Sequence, residues 1–108
     1  MTVNELAALD GFNAVSLPDG EREIKGVYIG DLLSWVMGRA KADDAWITIM
    51  SNINIVAVAS LADVSCIILA EGVELERSVS QTAALKGINV ISTKLPAYET
   101  AMLLGKAF

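Results

Sequence analysis

The rhythm of hydrophobic and polar positions changes about a third of the way along this chain. From residue 45 onward, apolar residues come in short dense blocks separated by polar turns. Residues 45–50 are β-branched and aromatic, which predicts a strand. Ser51-Asn52-Ile53-Asn54 follows as a polar loop of capping side chains. Residues 55–62 are rich in isoleucine and valine and read as helix or strand. A helix is expected, because the interval from 50 to 66 is about the length of a parallel crossover and tertiary contact overrides weak propensity.

Residues 64–70 are a near-continuous apolar run, the pattern of a strand covered on both faces. Glu71-Gly72 turns out of it. In residues 74–86, Leu75, Val79 and Ala83 recur every fourth position. Acids stand in the first turn, Lys86 in the last and Gly87 just beyond, which together predict a helix. Residues 88–91 predict a third short strand. Pro96 suits a first helical turn, and residues 97–104 continue as helix up to Gly105.

The front of the chain is less regular. Residues 2–9 predict a short helix, with Thr2 and Glu5 spaced as a capping box and Gly11 past its end. Residues 12–17 are strand-like, Pro18-Asp19-Gly20 is a turn, and residues 23–29 read as a second strand. The two form a hairpin or lie separately at a sheet edge. Asp31 is placed to cap a helix whose Leu32, Leu33, Val36, Met37 and Ala40 share one face. The whole predicts a single α/β domain over residues 1–108. Its architecture is a mainly parallel three-layer sheet with a βαβαβα back half and an N-terminal helix plus edge strands.

Composition sharpens this picture. With 108 residues there is room for one core. The chain is 54% hydrophobic before glycine is counted, against roughly 45–50% with glycine included in ordinary domains. That excess points to a subunit interface, so a homodimer is expected. The formal charge is −5 and the basic residues are scattered, whereas nucleic-acid binding needs clustered cations. The stretch 53–70 is broken by Asn54, Ser60, Asp63 and Ser65, too polar for a membrane span. No basic segment followed by an apolar core opens the chain, so no signal peptide is expected. A single cysteine, Cys66, excludes an internal disulfide framework and fits a cytoplasmic setting.

There is no histidine. This removes the usual general base, the usual zinc ligand and every Ser–His or Cys–His pair. Neither GxGxxG nor GxxxxGK[ST] occurs, so the phosphate and Mg²⁺ contacts of a kinase or ATPase are missing. No catalytic residue, metal ligand or cofactor is expected. Asp43-Asp44 reads as a solvated loop, Cys66 as core, and Trp35 and Trp46 as core or interface anchors.

A ligand, if there is one, belongs at the carboxyl ends of the parallel strands. The residues expected there are Ser51, Asn52, Asn54, Glu71, Gly72, Thr93 and Lys94. Free N–H groups at a helix start favour an anion, and Lys94 adds charge. The same Ser and Asn side chains serve equally as plain helix caps.

Four runs, taken in order, resemble a known family: Gly26-Val27-Tyr28-Ile29-Gly30-Asp31-Leu32-Leu33-Ser34, Ser65-Cys66-Ile67-Ile68-Leu69-Ala70-Glu71-Gly72, Ile88-Asn89-Val90-Ile91-Ser92-Thr93 and Tyr98-Glu99-Thr100-Ala101. With Asn54-Ile55-Val56-Ala57-Val58-Ala59 they resemble the DRTGG domain in its stand-alone bacterial form, over a core of residues 25–106 behind an N-terminal region of residues 1–24. The N-terminal domain of HPr kinase/phosphorylase is also similar, though its kinase domain and phosphate loop have no counterpart here. The family's acidic–arginine pair would fall near Asn52 to Asn54, where no arginine stands. Its Thr-Gly-Gly would fall on Ala70-Glu71-Gly72, where only the last glycine is kept.

The resemblance implies a non-catalytic regulatory or interaction module, acting as a homodimer that docks on a partner protein. The alternative is a sensor of a small anionic metabolite or nucleotide at the strand ends. Neither involves a cofactor, nucleic acid or membrane.

Overall fold

A computed structural model describes all 108 residues. The elements run α1 (Val3–Ala7), β1 (Phe12–Ser16), β2 (Gly26–Ile29), α2 (Leu33–Arg39), β3 (Asp44–Thr48), α3 (Asn54–Ala62), β4 (Cys66–Leu69), α4 (Arg77–Leu85), β5 (Val90–Thr93) and α5 (Ala97–Gly105). One five-stranded sheet has the order β1-β5-β4-β3-β2. The pairs β2–β3, β3–β4 and β4–β5 are parallel, and β1 joins β5 antiparallel. The predicted alternation is therefore present, and the ambiguous stretch after Asn54 is helical.

The sheet carries a separate core on each face. Trp46, Ile67, Leu69 and Val90 pack under α2, α3 and α4. Ala45, Ile47, Cys66, Ile68 and Ile91 pack under α1 and α5. Successive side chains of a strand point to opposite faces. The run Cys66–Leu69 must therefore be apolar at every position, and all four residues are completely buried. Each of the three aliphatic side chains, Ile67, Ile68 and Leu69, contributes about 1.5–3 kcal/mol relative to exposure. Trp46 lies in the core, its indole N–H donating to the Gly30 carbonyl at 2.8 Å. Trp35 is half exposed and stacks under the Arg39 guanidinium, 3.8 Å from the ring centroid.

Several local expectations are corrected. The two front strands make no hairpin: β1 and β2 lie at opposite edges of the sheet. Residues 20–24 instead run beside the N-terminus, with Val3 N–H on the Arg22 carbonyl and Ile24 N–H on the Met1 carbonyl. The capping box is present, with Thr2 Oγ1 accepting from Glu5 N–H at 3.1 Å and Thr2 N–H donating to Glu5 Oε1 at 2.9 Å. Asp31 caps nothing. Helix α2 starts at Leu33 behind Leu32, which offers no side-chain cap. Of its predicted apolar face only Val36 is fully buried, and Leu32 and Met37 are exposed.

Asp43-Asp44 is also no solvated loop. Arg22 Nε donates to Asp43 Oδ1 at 3.0 Å, and its Nη2 donates to Asp63 Oδ1 at 2.9 Å and to the Asp63 carbonyl at 2.6 Å. Asp44 is buried and accepts from the Lys41 N–H at 2.8 Å. These bonds fasten the amino ends of β3 and β4, at the opposite end of the sheet from the loops expected to form a site.

Candidate functional site

The loops after β3, β4 and β5 do gather at the carboxyl ends of the parallel strands. They form two adjoining depressions rather than one mouth. The wider is a groove of about 700 Å³ between the loop before α3 and the start of α4. Ser51, Asn52 and Ile53 form one wall, and Glu74, Glu76, Ser78, Val79 and Thr82 form the other. The narrower, about 80 Å³, is lined by Asn13, Gly72, Val73, Glu74, Ser92, Thr93 and Lys94. Glu74 borders both. Toward the far ends of α3 and α4 the wide groove adjoins an apolar one of about 410 Å³, with Ile53 and Thr82 shared.

Ser51 and Asn52 thus line the wide groove, and Gly72, Thr93 and Lys94 the narrow one. Asn54 lines neither. It opens α3, and its N–H donates to Asn52 Oδ1 at 2.9 Å. That bond spends one of the Asn52 acceptor sites on the backbone. Glu71 lines neither depression and is exposed. Its backbone does the positioning: Glu71 N–H donates to the Leu95 carbonyl and Gly72 N–H to the Thr93 carbonyl, both at 2.9 Å. To make this turn Glu71 takes φ 61° and Gly72 φ 73°, a left-handed conformation natural to glycine but not to glutamate. Thr93 is buried, with its hydroxyl donating to the Gly11 carbonyl at 2.8 Å and accepting from Leu95 N–H at 3.2 Å. It holds β1 and β5 together rather than offering that hydroxyl outward.

The charge of the wide groove differs from the expected one. Its charged lining residues are Glu74 and Glu76, and no lysine or arginine borders it. Helix α4 begins at Arg77 with Glu76 still extended at ψ 148°. The two acids predicted for the first helical turn therefore lie before the helix, against the groove. Asn13 and Ser92 meet because β1 runs antiparallel to β5 in register, a long-range pairing that no local pattern announces. No three carboxylate or thiol groups converge as a metal set. Cys66 is completely buried, and burial pushes its thiol up to about 12, against which the Ser65 hydroxyl at 3.9 Å acts only weakly. No helix is long and apolar enough to cross a membrane.

A mostly parallel sheet, helices on both faces and grooved loops at the strand ends define a three-layer α/β domain. The family model of the DRTGG domain matches residues 8–107, and the chain belongs to that family. A similar solved structure is the CBS and DRTGG domains of the regulatory region of Clostridium perfringens pyrophosphatase, complexed with its activator diadenosine tetraphosphate. The match has a TM-score of 0.68 at 16% identity, and covers 95% of this chain and 48% of that one. This chain thus spans about half the length of that region, and the likeness is one of fold. No curated protein matches the chain.

Proposed function

We propose that this chain is a non-catalytic regulatory module of the cytoplasm, acting as a homodimer that docks on a partner protein. The observation that carries the reading is the exposed apolar surface where β2 passes into α2. Ile29 is 51% exposed, Leu32 58% and Trp35 52%. Three large apolar side chains exposed within seven consecutive residues of a small acidic domain suit an interaction surface. Family membership supports the reading, as does the fold shared with a regulatory region. It calls for no catalytic residue, cofactor, metal, nucleic acid or membrane, and assigns no kinase activity.

Sedimentation velocity over a hundredfold range of concentration tests the dimer. A species of twice the 11.4 kDa chain mass that dissociates on dilution is expected. A single 11.4 kDa species throughout would overturn it.

A second reading, a sensor of a small anionic metabolite or nucleotide, is favoured by the groove at the carboxyl ends of β3 and β4. Here Glu74 and Glu76 dictate the orientation. A ligand's hydroxyls and neutral ring lie between them and Asn52, and its anionic group lies toward Lys94, away from the acidic wall. A thermal-shift screen with adenosine, ATP and diadenosine tetraphosphate tests this. A ligand at 100 times its Kd stabilises by about 2.7 kcal/mol, so a binder raises the melting temperature, and Lys94→Ala abolishes the rise. No shift with any of them contradicts the reading.

A further inference from the structure

We infer that two copies of this chain join through the open edge of β2, in an antiparallel pairing centred on Tyr28. The inference rests on the homodimer reading above and assigns its interface.

The seven residues Lys25-Gly26-Val27-Tyr28-Ile29-Gly30-Asp31 read as a palindrome in chemical character. Antiparallel self-pairing about Tyr28 sets Lys25 opposite Asp31, Gly26 opposite Gly30 and Val27 opposite Ile29. Opposite charges then approach at both ends of the paired segment: Asp31 keeps Oδ1 on Thr48 and Ile49 and offers its free Oδ2, and the exposed Lys25 ammonium exchanges a 3.8 Å contact with Asp43 for it. β-branched residues meet inside the segment. Such cross-strand pairs each contribute about 0.2–1 kcal/mol. Moving the register two residues either way sets Lys25 against Ile29 or Asp31 against Val27 and loses both charge pairs.

The backbone suits the same register. Gly30 N–H donates to the Ile47 carbonyl at 3.1 Å. Counting back in steps of two, Tyr28 also faces β3, which leaves the N–H and C=O groups of Val27 and Ile29 directed away from the sheet. Those two residues oppose each other in the palindromic register, so each copy's pair can exchange both N–H···O bonds, four in all. β2 is the last strand of the sheet on this side. The other edge is guarded: β1 has an irregular register between Ala14 and Ser16, the kind of bulge that blunts edge pairing. β2 instead keeps a regular register with β3 from Gly26 to Ile29, without a bulge. Pairing also covers the exposed Ile29 and brings α2, with Leu32 and Trp35, toward the two-fold axis.

Two variants of the full chain test the interface. Ile29→Pro removes an N–H that makes no bond within the sheet, so the fold is kept while the pairing is lost. Tyr28→Cys puts one thiol from each copy on the axis. Opposed residues of a non-hydrogen-bonded antiparallel pair lie about 4.5 Å apart at Cα, within the disulfide range of about 4.4–6.8 Å. The native Cys66 is buried and does not compete.

The expected result is an Ile29→Pro protein that unfolds cooperatively yet sediments as monomer where the unmodified chain is dimeric. Tyr28→Cys cross-links under mild oxidation, while an Asn13→Cys control on the β1 edge does not. A chain that stays dimeric with Ile29→Pro and fails to cross-link through residue 28 overturns this interface but leaves the homodimer reading standing. An unmodified chain that is monomeric throughout overturns both. Should Ile29→Pro fail to fold, cross-linking at residue 28 alone decides.

Discussion

Asp31 Oδ1 accepts the Thr48 hydroxyl at 2.7 Å. The same oxygen accepts the Ile49 N–H at 2.9 Å, so one carboxylate ties the end of β2 to the end of β3. Thr48 is buried, and its hydroxyl finds no equivalent acceptor if Asp31 is removed. Asp31→Ala should cost about 1–3 kcal/mol, read from urea unfolding. Asp31→Ser separates this role from helix capping. A serine restores a lost cap, but it is too short to replace this tie, and its stability should stay near that of the alanine variant.

Asn89 is a second tie of this kind, deeper in the fold. Its Nδ2 donates to the Asp19 carbonyl at 2.8 Å and the Ser65 carbonyl at 2.9 Å, and its Oδ1 accepts from Asp19 N–H at 3.0 Å. Asn89→Asp keeps the acceptor but sets a buried carboxylate against two carbonyls. Those neighbours and burial raise its folded-state pKa above the unfolded value near 3.9. The variant should therefore be less stable than the parent at neutral pH and regain stability as pH falls through its folded pKa. Unfolding curves at pH 7 and pH 5 check this, and an equal deficit at both would contradict it.

Glu71 stands at φ 61°, where the family resemblance places a glycine. A non-glycine residue there carries roughly 1–2 kcal/mol of strain, partly offset by the greater unfolded-state freedom of glycine. Glu71→Gly is expected to leave stability unchanged or raise it by up to about 1 kcal/mol, whereas Gly72→Ala should lower it. Thermal unfolding of the two single variants tests the contrast.

Burial holds the Cys66 thiol up at about 12, above its ordinary value of 9.0. Its contribution to stability is complete below about pH 9 and is lost as pH rises toward 12, because the unfolded chain releases the proton first. The parent should thus lose stability over pH 8–11 more steeply than Cys66→Ala. A thiol reagent at pH 8 should modify the chain only after denaturation. Rapid reaction of the folded protein would show that the thiol is accessible.

What the chain reveals before folding divides along physical lines. The core strands were legible because burial on both faces forces residues 66–69 to be apolar without interruption, and α4 because Val79 and Ala83 recur at the helical spacing. The carboxyl-end loops were legible for the same reason, since a parallel sheet sets where they go. The long-range bonds were hidden. Arg22 reaches Asp43 and Asp63 across 21 and 41 positions, and Asn89 reaches Asp19 across 70. Asp31 has the local signature of a helix cap, and only the neighbouring Thr48 diverts it. Glu74 and Glu76 read as ordinary first-turn acids until α4 starts late and leaves them facing the groove.

If this DRTGG domain works as a homodimer, small-angle X-ray scattering on the unmodified chain reads it without any substitution. One copy has a Cα radius of gyration of 11.9 Å. Two copies joined edge to edge should give about 17 Å, near the value for a compact body of that combined size, falling toward the single-copy value on dilution. A radius of about 12 Å at every concentration would contradict the homodimer.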